Sequence, residues 1–320
     1  MNLKYDCWLH WNITLRCNLN CIYCFPNENK KKSQINKIKI SSLIKTLDKI
    51  KKTCLISFTG GEPFLIQNIV DACKEITKKH YISFNTNLTS NKIKEFSEII
   101  DPKKVDIIIA SLHIKELERT NLLKKYIDNF HLLKRKGFNI VAKEVAYPPL
   151  LKEITKYKKF FKKQGITLEF QPFIGEYKGK KYPDAYTKKE IAAFNFDLST
   201  KEYHQKGKKC NAGYNVGMIN EKGDVTPCFS LYNKIGNIYE RIYFNKKMIR
   251  CPFESCGCPL KIFNRLLFEK AIRETNRKRI LSLIDFFYIR IRRILRFMNI
   301  PKIRSIENLK LIIRQFTSYI

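Results

Sequence analysis

No apolar stretch in this sequence approaches the ~20 residues that a membrane span needs, and the opening ten residues, MNLKYDCWLH, lack the apolar core of a secretory signal. A cytoplasmic protein is therefore expected. That compartment disfavours disulfides, so the eleven cysteines are expected as reduced thiols or metal ligands. Acidic residues are scarce too: 29 Asp and Glu stand against 62 Lys and Arg, a net charge of +33. Such an excess suits nucleic acid, an anionic membrane surface or an acidic substrate, although a bias towards Lys, Ile and Asn in the source genome produces it without any partner. There is no zinc finger and no basic motif interleaved with aromatics, so no specific nucleic-acid binding is expected. No separate leader-binding domain is visible.

What is present begins with periodicity. At 320 residues and 44% hydrophobic content, the chain can bury one large core and a smaller one. Strand-like runs at 9–15, 54–59, 81–87, 105–112, 139–146 and 167–173 alternate with segments of helical apolar spacing at 41–52, 68–79, 91–100, 116–136 and 151–163. This alternation makes an α/β protein with a parallel sheet and helices outside, a half-wound barrel whose sites collect at the carboxyl ends of the strands.

After the first strand, Cys17, Cys21 and Cys24 stand at C-x3-C-x2-C spacing. Three thiolates can hold three irons of a four-iron cluster and leave the fourth without a protein ligand. A structural zinc site normally closes with four ligands, and a disulfide pair would leave one thiol over; zinc or incidental cysteines remain the plain alternatives. After the second strand comes Thr59-Gly60-Gly61-Glu62-Pro63. Two glycines there let backbone approach a ligand closely, and a carboxylate can accept from an ammonium group. Together with Tyr23 before the last cysteine, these motifs resemble the radical S-adenosylmethionine (SAM) superfamily. The resemblance implies a partial (β/α)6 TIM-like barrel and a [4Fe-4S] cluster on Cys17, Cys21 and Cys24, with its open iron chelated by S-adenosyl-L-methionine. It further implies Gly60, Gly61, Glu62 and Pro63 around the methionyl amino group, the backbone of Tyr23 at the adenine, and an electron donor such as flavodoxin or ferredoxin.

Polar residues on alternating strand positions suggest a lined cavity. Ser83, Asn85 and Asn87 share one side of the third strand, Ser111 and His113 one side of the fourth, Glu169 and Gln171 one side of the sixth. The family pattern makes Asn85, Asn87 and Ser111 contacts for the cofactor's ribose and carboxylate; Asn87 could equally cap the helix that starts near Asn91. His113 is expected as a hydrogen-bonded loop residue. Lys143 and Glu144 are adjacent, so only one can point inward; Glu144 and Gln171, with Glu176 and Tyr177, are positional guesses for substrate contacts. Cys54 and Cys73 are expected to pack in the core.

Beyond a loop over 173–186 broken by Gly175, Gly179 and Pro183, five more cysteines follow: Cys210, Cys228, Cys251, Cys256 and Cys258. Residues 210–228 read as a hairpin that turns at 220–223, and cysteines at its ends can join others in one iron-sulfur cluster. The Gly-x4-Cys ending at Cys228 resembles the SPASM and twitch auxiliary-cluster modules. Five cysteines complete one [4Fe-4S] cluster and not two, on Cys210, Cys228 and two of the last three, with zinc as the alternative. The chain is thus divided into a barrel (1–200), a twitch-like module (201–260) and a tail (261–320) with 15 basic and 4 acidic residues. In the tail, Ile280, Ile284, Phe287, Ile291, Leu295 and Met298 form a stripe beside arginines, which suits packing on the barrel or an anionic membrane surface, hence a peripheral location at the inner face of the membrane.

The chemistry that the resemblance implies is reductive cleavage of SAM to a 5′-deoxyadenosyl radical, which takes hydrogen from an unactivated carbon; a second cluster suits an oxidoreductase. The expected substrate carbon is an alcohol, sugar-like or side-chain one. Peptide or protein modification is the alternative, and an iron-sulfur sensor or a membrane scaffold the remote ones.

Overall fold

The first strand, β1 (Cys7–Thr14), buries Leu9, Trp11 and Ile13 on one face and carries Trp8, His10 and Asn12 on the other. The computed structural model describes residues 4–24, 36–196 and 203–256, with a few isolated positions from 267 to 276. Parallel strands β2 (Cys54–Gly60), β3 (Tyr81–Thr86), β4 (Val105–Ser111), β5 (Ile140–Val145) and β6 (Leu168–Gln171) follow, each paired with the one before it. Their ends fall within two residues of the runs read from the sequence. The connecting helices are α1 (Ile40–Ile50), α2 (Ile69–Thr77), α3 (Lys92–Ile99), α4 (Ile114–Arg119), α5 (Leu123–Arg135) and α6 (Ile154–Lys163).

Each helix buries a stripe at three- and four-residue steps, as with Leu43 and Leu47 of α1, Tyr126, Phe130 and Leu133 of α5, and Ile154, Tyr157 and Phe161 of α6. Against these stripes the sheet presents Leu9, Trp11, Ile56, Phe58, Ile82, Phe84, Ile108 and Ala142. A ladder of aromatic rings runs through this layer, with Phe58 and Phe64 each stacked 5.0 Å from Phe84, and Phe96 edge-on to Phe84 at 5.5 Å. Cys7, Cys54 and Cys73 are fully buried in the same layer.

The structure departs from the sequence pattern in three places. The helix expected over 116–136 is two helices, because Asn121 adopts a left-handed conformation (φ 57°) and turns the chain between α4 and α5. The loop expected over 173–186 holds a tight hairpin, β7 (Gly175–Tyr177) and β8 (Lys180–Tyr182), whose two turn residues Lys178 and Gly179 both have positive φ. The next helix, α7 (Lys188–Phe194), opens with a capping box between Thr187 and Glu190.

The third departure concerns the segment after residue 200. Its strands are β9 (Tyr203–His204), β10 (Lys209–Cys210), β11 (Val216–Ile219), β12 (Asp224–Thr226), β13 (Gly236–Asn237), β14 (Arg241–Ile242), β15 (Ile249–Arg250) and β16 (Ser255–Cys256). The hairpin expected over 210–228 is shorter, β11 and β12 pairing antiparallel with Cys210 outside it on β10, and Asn220 Oδ1 accepts from the N–H groups of Lys222 and Asp224 in the turn. β11 also lies parallel to β1, with Trp8 opposite Val216 and His10 opposite Met218. The half barrel of six strands therefore continues without a break into a ten-stranded sheet, β14-β13-β12-β11-β1-β2-β3-β4-β5-β6. The physical reason is the edge of β1, whose backbone groups need a partner beside the buried Trp8.

Two compact units divide the chain, Lys4–Gly257 on one side and Met1–Leu3 with Cys258–Ile320 on the other. The apolar stripe at 280–298, the Cys258 thiol and the side chain of Cys256 lie outside the described residues. Among the described residues, no helix is long and apolar enough to cross a membrane.

Candidate active site at the strand ends

Gly60 and Gly61 end β2 against the chain that leaves β1. The Gly61 N–H donates to Thr14 O (2.6 Å) and the Glu62 N–H to Arg16 O (2.8 Å). A Cβ on Gly61 would stand 1.9 Å from Arg16 O, and one on Gly60, where φ is +125°, 2.3 Å from Thr14 O. The backbone that these glycines admit is thus that of the loop leading into the cysteines.

Glu62 is fully buried. Its carboxylate accepts from Phe64 N (3.0 Å) and Thr86 Oγ1 (2.8 Å) on one oxygen and from Asn87 N (2.7 Å) on the other. Burial pushes its pKa up to about 7, and those three bonds oppose the rise. Pro63 opens a 3-10 turn, Pro63–Leu65, and is buried with it. From the other side, Asn87 Nδ2 donates to Asn18 Oδ1 (3.0 Å) and approaches Cys17 Sγ (3.8 Å), while Asn18 Nδ2 donates to Thr89 Oγ1 (2.8 Å). Asn87 Oδ1 is taken by Thr89, and the first N–H of α3, that of Lys92, goes to Ser90 Oγ (3.3 Å), so the helix-cap role weighed for Asn87 is not the one adopted.

Further along the loop, Asn20 N–H donates to Glu116 Oε1 (2.6 Å), itself held by the fork of Arg119. Tyr23 OH donates to Glu144 Oε1 (3.0 Å) and lies 3.1 Å from His113 Nδ1. With the phenol proton committed to Glu144, Nδ1–H is the donor of the second pair. Glu144 also accepts from Ile114 N (2.7 Å) and Val145 N (2.8 Å); burial lifts its pKa to about 7 against these bonds, and burial with the Glu144 charge raises that of Tyr23. The loop is pinned at residues 14, 16, 18, 20 and 23, to the ends of β2 and β3, to α4 and to β5. Sequence reasoning missed Asn18, Asn20 and Glu116, although the two asparagines alternate with Cys17, Leu19 and Cys21 in plain sight.

Strand register assigns the concave face. Ser57 stands opposite Ser83, Asn85 opposite Ile109, Ser111 opposite Lys143, and Lys143 opposite Glu169, with which it forms an ion pair at 3.6 Å. Lys143 is therefore the inward member of the adjacent pair, and Glu144 lies on the opposite side of β5. Gln171, level with Val145 and exposed, does not share a face with Glu144.

Cys21 is buried and Cys17 and Cys24 are half-buried; none is in a disulfide, and Leu19 N–H points to Cys17 Sγ at 3.4 Å. Among the described residues, no group of three or more His, Cys, Asp and Glu is drawn up as a metal cage. The donor set nevertheless fits an iron-sulfur cluster: three thiols on one anchored loop, with amide N–H groups aimed at sulfur, which binding can draw together. In the second set, β10 pairs with β15, which places Cys210 opposite Ile249, the Cys251 N–H donates to Lys208 O, and Cys228 bridges to Leu231 just past β12.

An open α/β barrel sheet whose strand ends clamp a loop of three thiols is the class that fold and site define. Residues 11–155, from within β1 to the start of α6, match the family model described as Radical SAM superfamily. An uncharacterised protein of Methanocaldococcus jannaschii is 29% identical, over 81% of this chain and 96% of that one. The GTP 3',8-cyclase of Listeria monocytogenes is also 29% identical, over 52% of this chain and 54% of the enzyme. Among solved structures, native anSMEcpe with bound AdoMet has a TM-score of 0.52 at 20% identity, covering 72% of this chain and 77% of that one. Streptococcus suis SuiB bound to precursor peptide SuiA has 0.53 at 16%, covering 76% and 66%. These structures share the fold.

Proposed function

We propose that the chain is a radical SAM enzyme that oxidises an unactivated carbon of its substrate. One observation carries this: the cysteine loop is fastened at residues 14, 16, 18, 20 and 23 to the Gly-Gly-Glu-Pro turn, to the end of β3, to α4 and to β5, so the thiols and the turn form one rigid unit. A sensor would need the thiols alone. Cys17, Cys21 and Cys24 would hold a [4Fe-4S] cluster, which with bound S-adenosyl-L-methionine supplies a carbon-centred radical that takes hydrogen from the substrate.

The protein's own residues then bind, orient and exclude water. The methionyl amino group is assigned to Gly60, Gly61, Glu62 and Pro63, where Glu62 Oε2 keeps room for a second donor beside Asn87 N. Ribose and carboxylate are assigned to Asn85, Asn87 and Ser111, and adenine to the backbone at Tyr23. Cys210 and Cys228, with two of Cys251, Cys256 and Cys258, would hold one auxiliary cluster, which favours an oxidation over a redox-neutral rearrangement. Peptide modification is the second reading, favoured by the fold shared with SuiB, which is bound to a precursor peptide.

The test is anaerobic reconstitution with iron and sulfide, then reductant and SAM. We expect 5′-deoxyadenosine from the wild type and at least about tenfold less from the Cys17→Ala/Cys21→Ala/Cys24→Ala variant, with about four fewer irons per chain. Wild-type protein that binds iron yet yields no more than the variant overturns the proposal.

A further inference from the structure

Three buried side-chain atoms in the described residues lack a hydrogen-bond partner, and two of them are neighbours: His10 Nδ1 and Asn12 Oδ1, on the concave face of β1. Buried polar atoms are nearly always paired, so two orphans on one face mark a position where a partner is missing. Asn12 Oδ1 lies at the end of the strand against Gly60, 2.4 Å from where a Cβ would stand. His10 sits one pleat below, about 7 Å along the strand. The edges of Trp8 and Phe229 flank its ring, each centroid 5.4 Å away. Since Phe229 follows Cys228, the pair lies between the Gly60 turn and the second cysteine set.

Several neighbouring polar groups are paired with one another, among them Thr59, opposite Asn12, whose hydroxyl oxygen accepts from Asn85 Nδ2. Trp8 Nε1 donates to Ser57 Oγ, Ser57 pairs with Ser83, and Lys143 is paired with Glu169. Both orphans are uncharged, since burial holds the His10 pKa down to about 4. An asparagine carbonyl only accepts, whereas the neutral imidazole Nδ1 donates or accepts according to tautomer. Two hydroxyl groups serve both positions, since one donates to Asn12 and the other donates to His10 Nδ1 or accepts from it according to tautomer. An amide N–H suits only one tautomer, and an anion would face the Asn12 lone pairs.

We propose that His10 and Asn12 are substrate-specificity contacts inside the barrel and that the group they take is a neutral, hydroxyl-bearing carbon compound. The assignment rests on the radical SAM reading and narrows its substrate class. It is tested on full-length reconstituted protein by saturation-transfer NMR with myo-inositol and glucose as probes, and with glucuronate and acetamide for comparison. We expect both polyols to bind the wild type, and about tenfold weaker binding in His10→Phe and in Asn12→Ala, as follows from one lost hydrogen bond. Both variants should keep the wild-type far-UV circular dichroism spectrum, so that weaker polyol binding reports the lost contact and not unfolding. Failure of either polyol to bind, equal binding of glucuronate or acetamide, or unchanged polyol affinity in both variants overturns the assignment. Wild-type protein that forms no 5′-deoxyadenosine overturns the proposed function instead, whatever the polyols do.

Discussion

Tyr23 shows how much one hydroxyl can hold. It stands between Cys21 and Cys24, and its proton meets the buried Glu144 carboxylate, which also accepts from two backbone N–H groups near the ends of β4 and β5. Tyr23→Phe keeps the ring against Tyr147 but removes that donor and the partner of His113. At pH 8, above the Glu144 pKa of about 7, we expect a loss of about 1.5–3 kcal/mol, the usual worth of a hydrogen bond to a charged group. Urea denaturation should record it as a lower midpoint at unchanged slope. The sequence placed Tyr23 at the motif, but its bond to Glu144 joins residues 121 positions apart and needed the fold.

At the scale of elements, the seam between the end of β2 and the exit of β1 sets the geometry of the site. Gly61 is non-negotiable there because its neighbour is backbone, and Arg16 O cannot rotate away as a side chain would. Gly61→Ala must therefore part the two segments and break the bonds to Thr14 and Arg16. We expect a loss of about 3 kcal/mol or more, and weaker iron retention after desalting. Gly165→Ala is the control, with φ +69° and open space around it. It should cost only about 1 kcal/mol of left-handed strain. Two glycines after an apolar run were legible as a close approach; what approaches was not, since a motif does not name its neighbour.

On the scale of the whole molecule, the folding equilibrium is linked to protons through Glu62 and Glu144. Burial raises both carboxyls to about 7, so between the unfolded value near 4.5 and pH 7 the native state holds protons that the unfolded chain releases. This contribution is complete below pH 4.5 and disappears as pH rises through 7. Relative to Glu144→Gln, the wild type should lose on the order of 3 kcal/mol over that window. Thermal melts of both proteins at pH 5 and pH 8 measure it, and curves that stay parallel would rule out a buried, protonated Glu144. His10, shifted in the opposite direction by burial, cancels in this difference.

By itself, the sequence determined the local order of the chain. Period-2 and period-3.6 patterns set six parallel strands and their helices, the cysteine spacing set three thiols on one loop, and the Gly-Gly-Glu-Pro turn set where the second strand stops. Each of these depends on neighbours a few residues away. The tertiary structure alone decided that Lys143 faces inward and Glu144 does not, because a slip of one residue exchanges the faces of a strand. It alone joined β11 to β1 across some two hundred residues, and aligned His10 and Asn12 without partners on the concave face. Such pairings come from long-range register, which no local pattern of residues encodes.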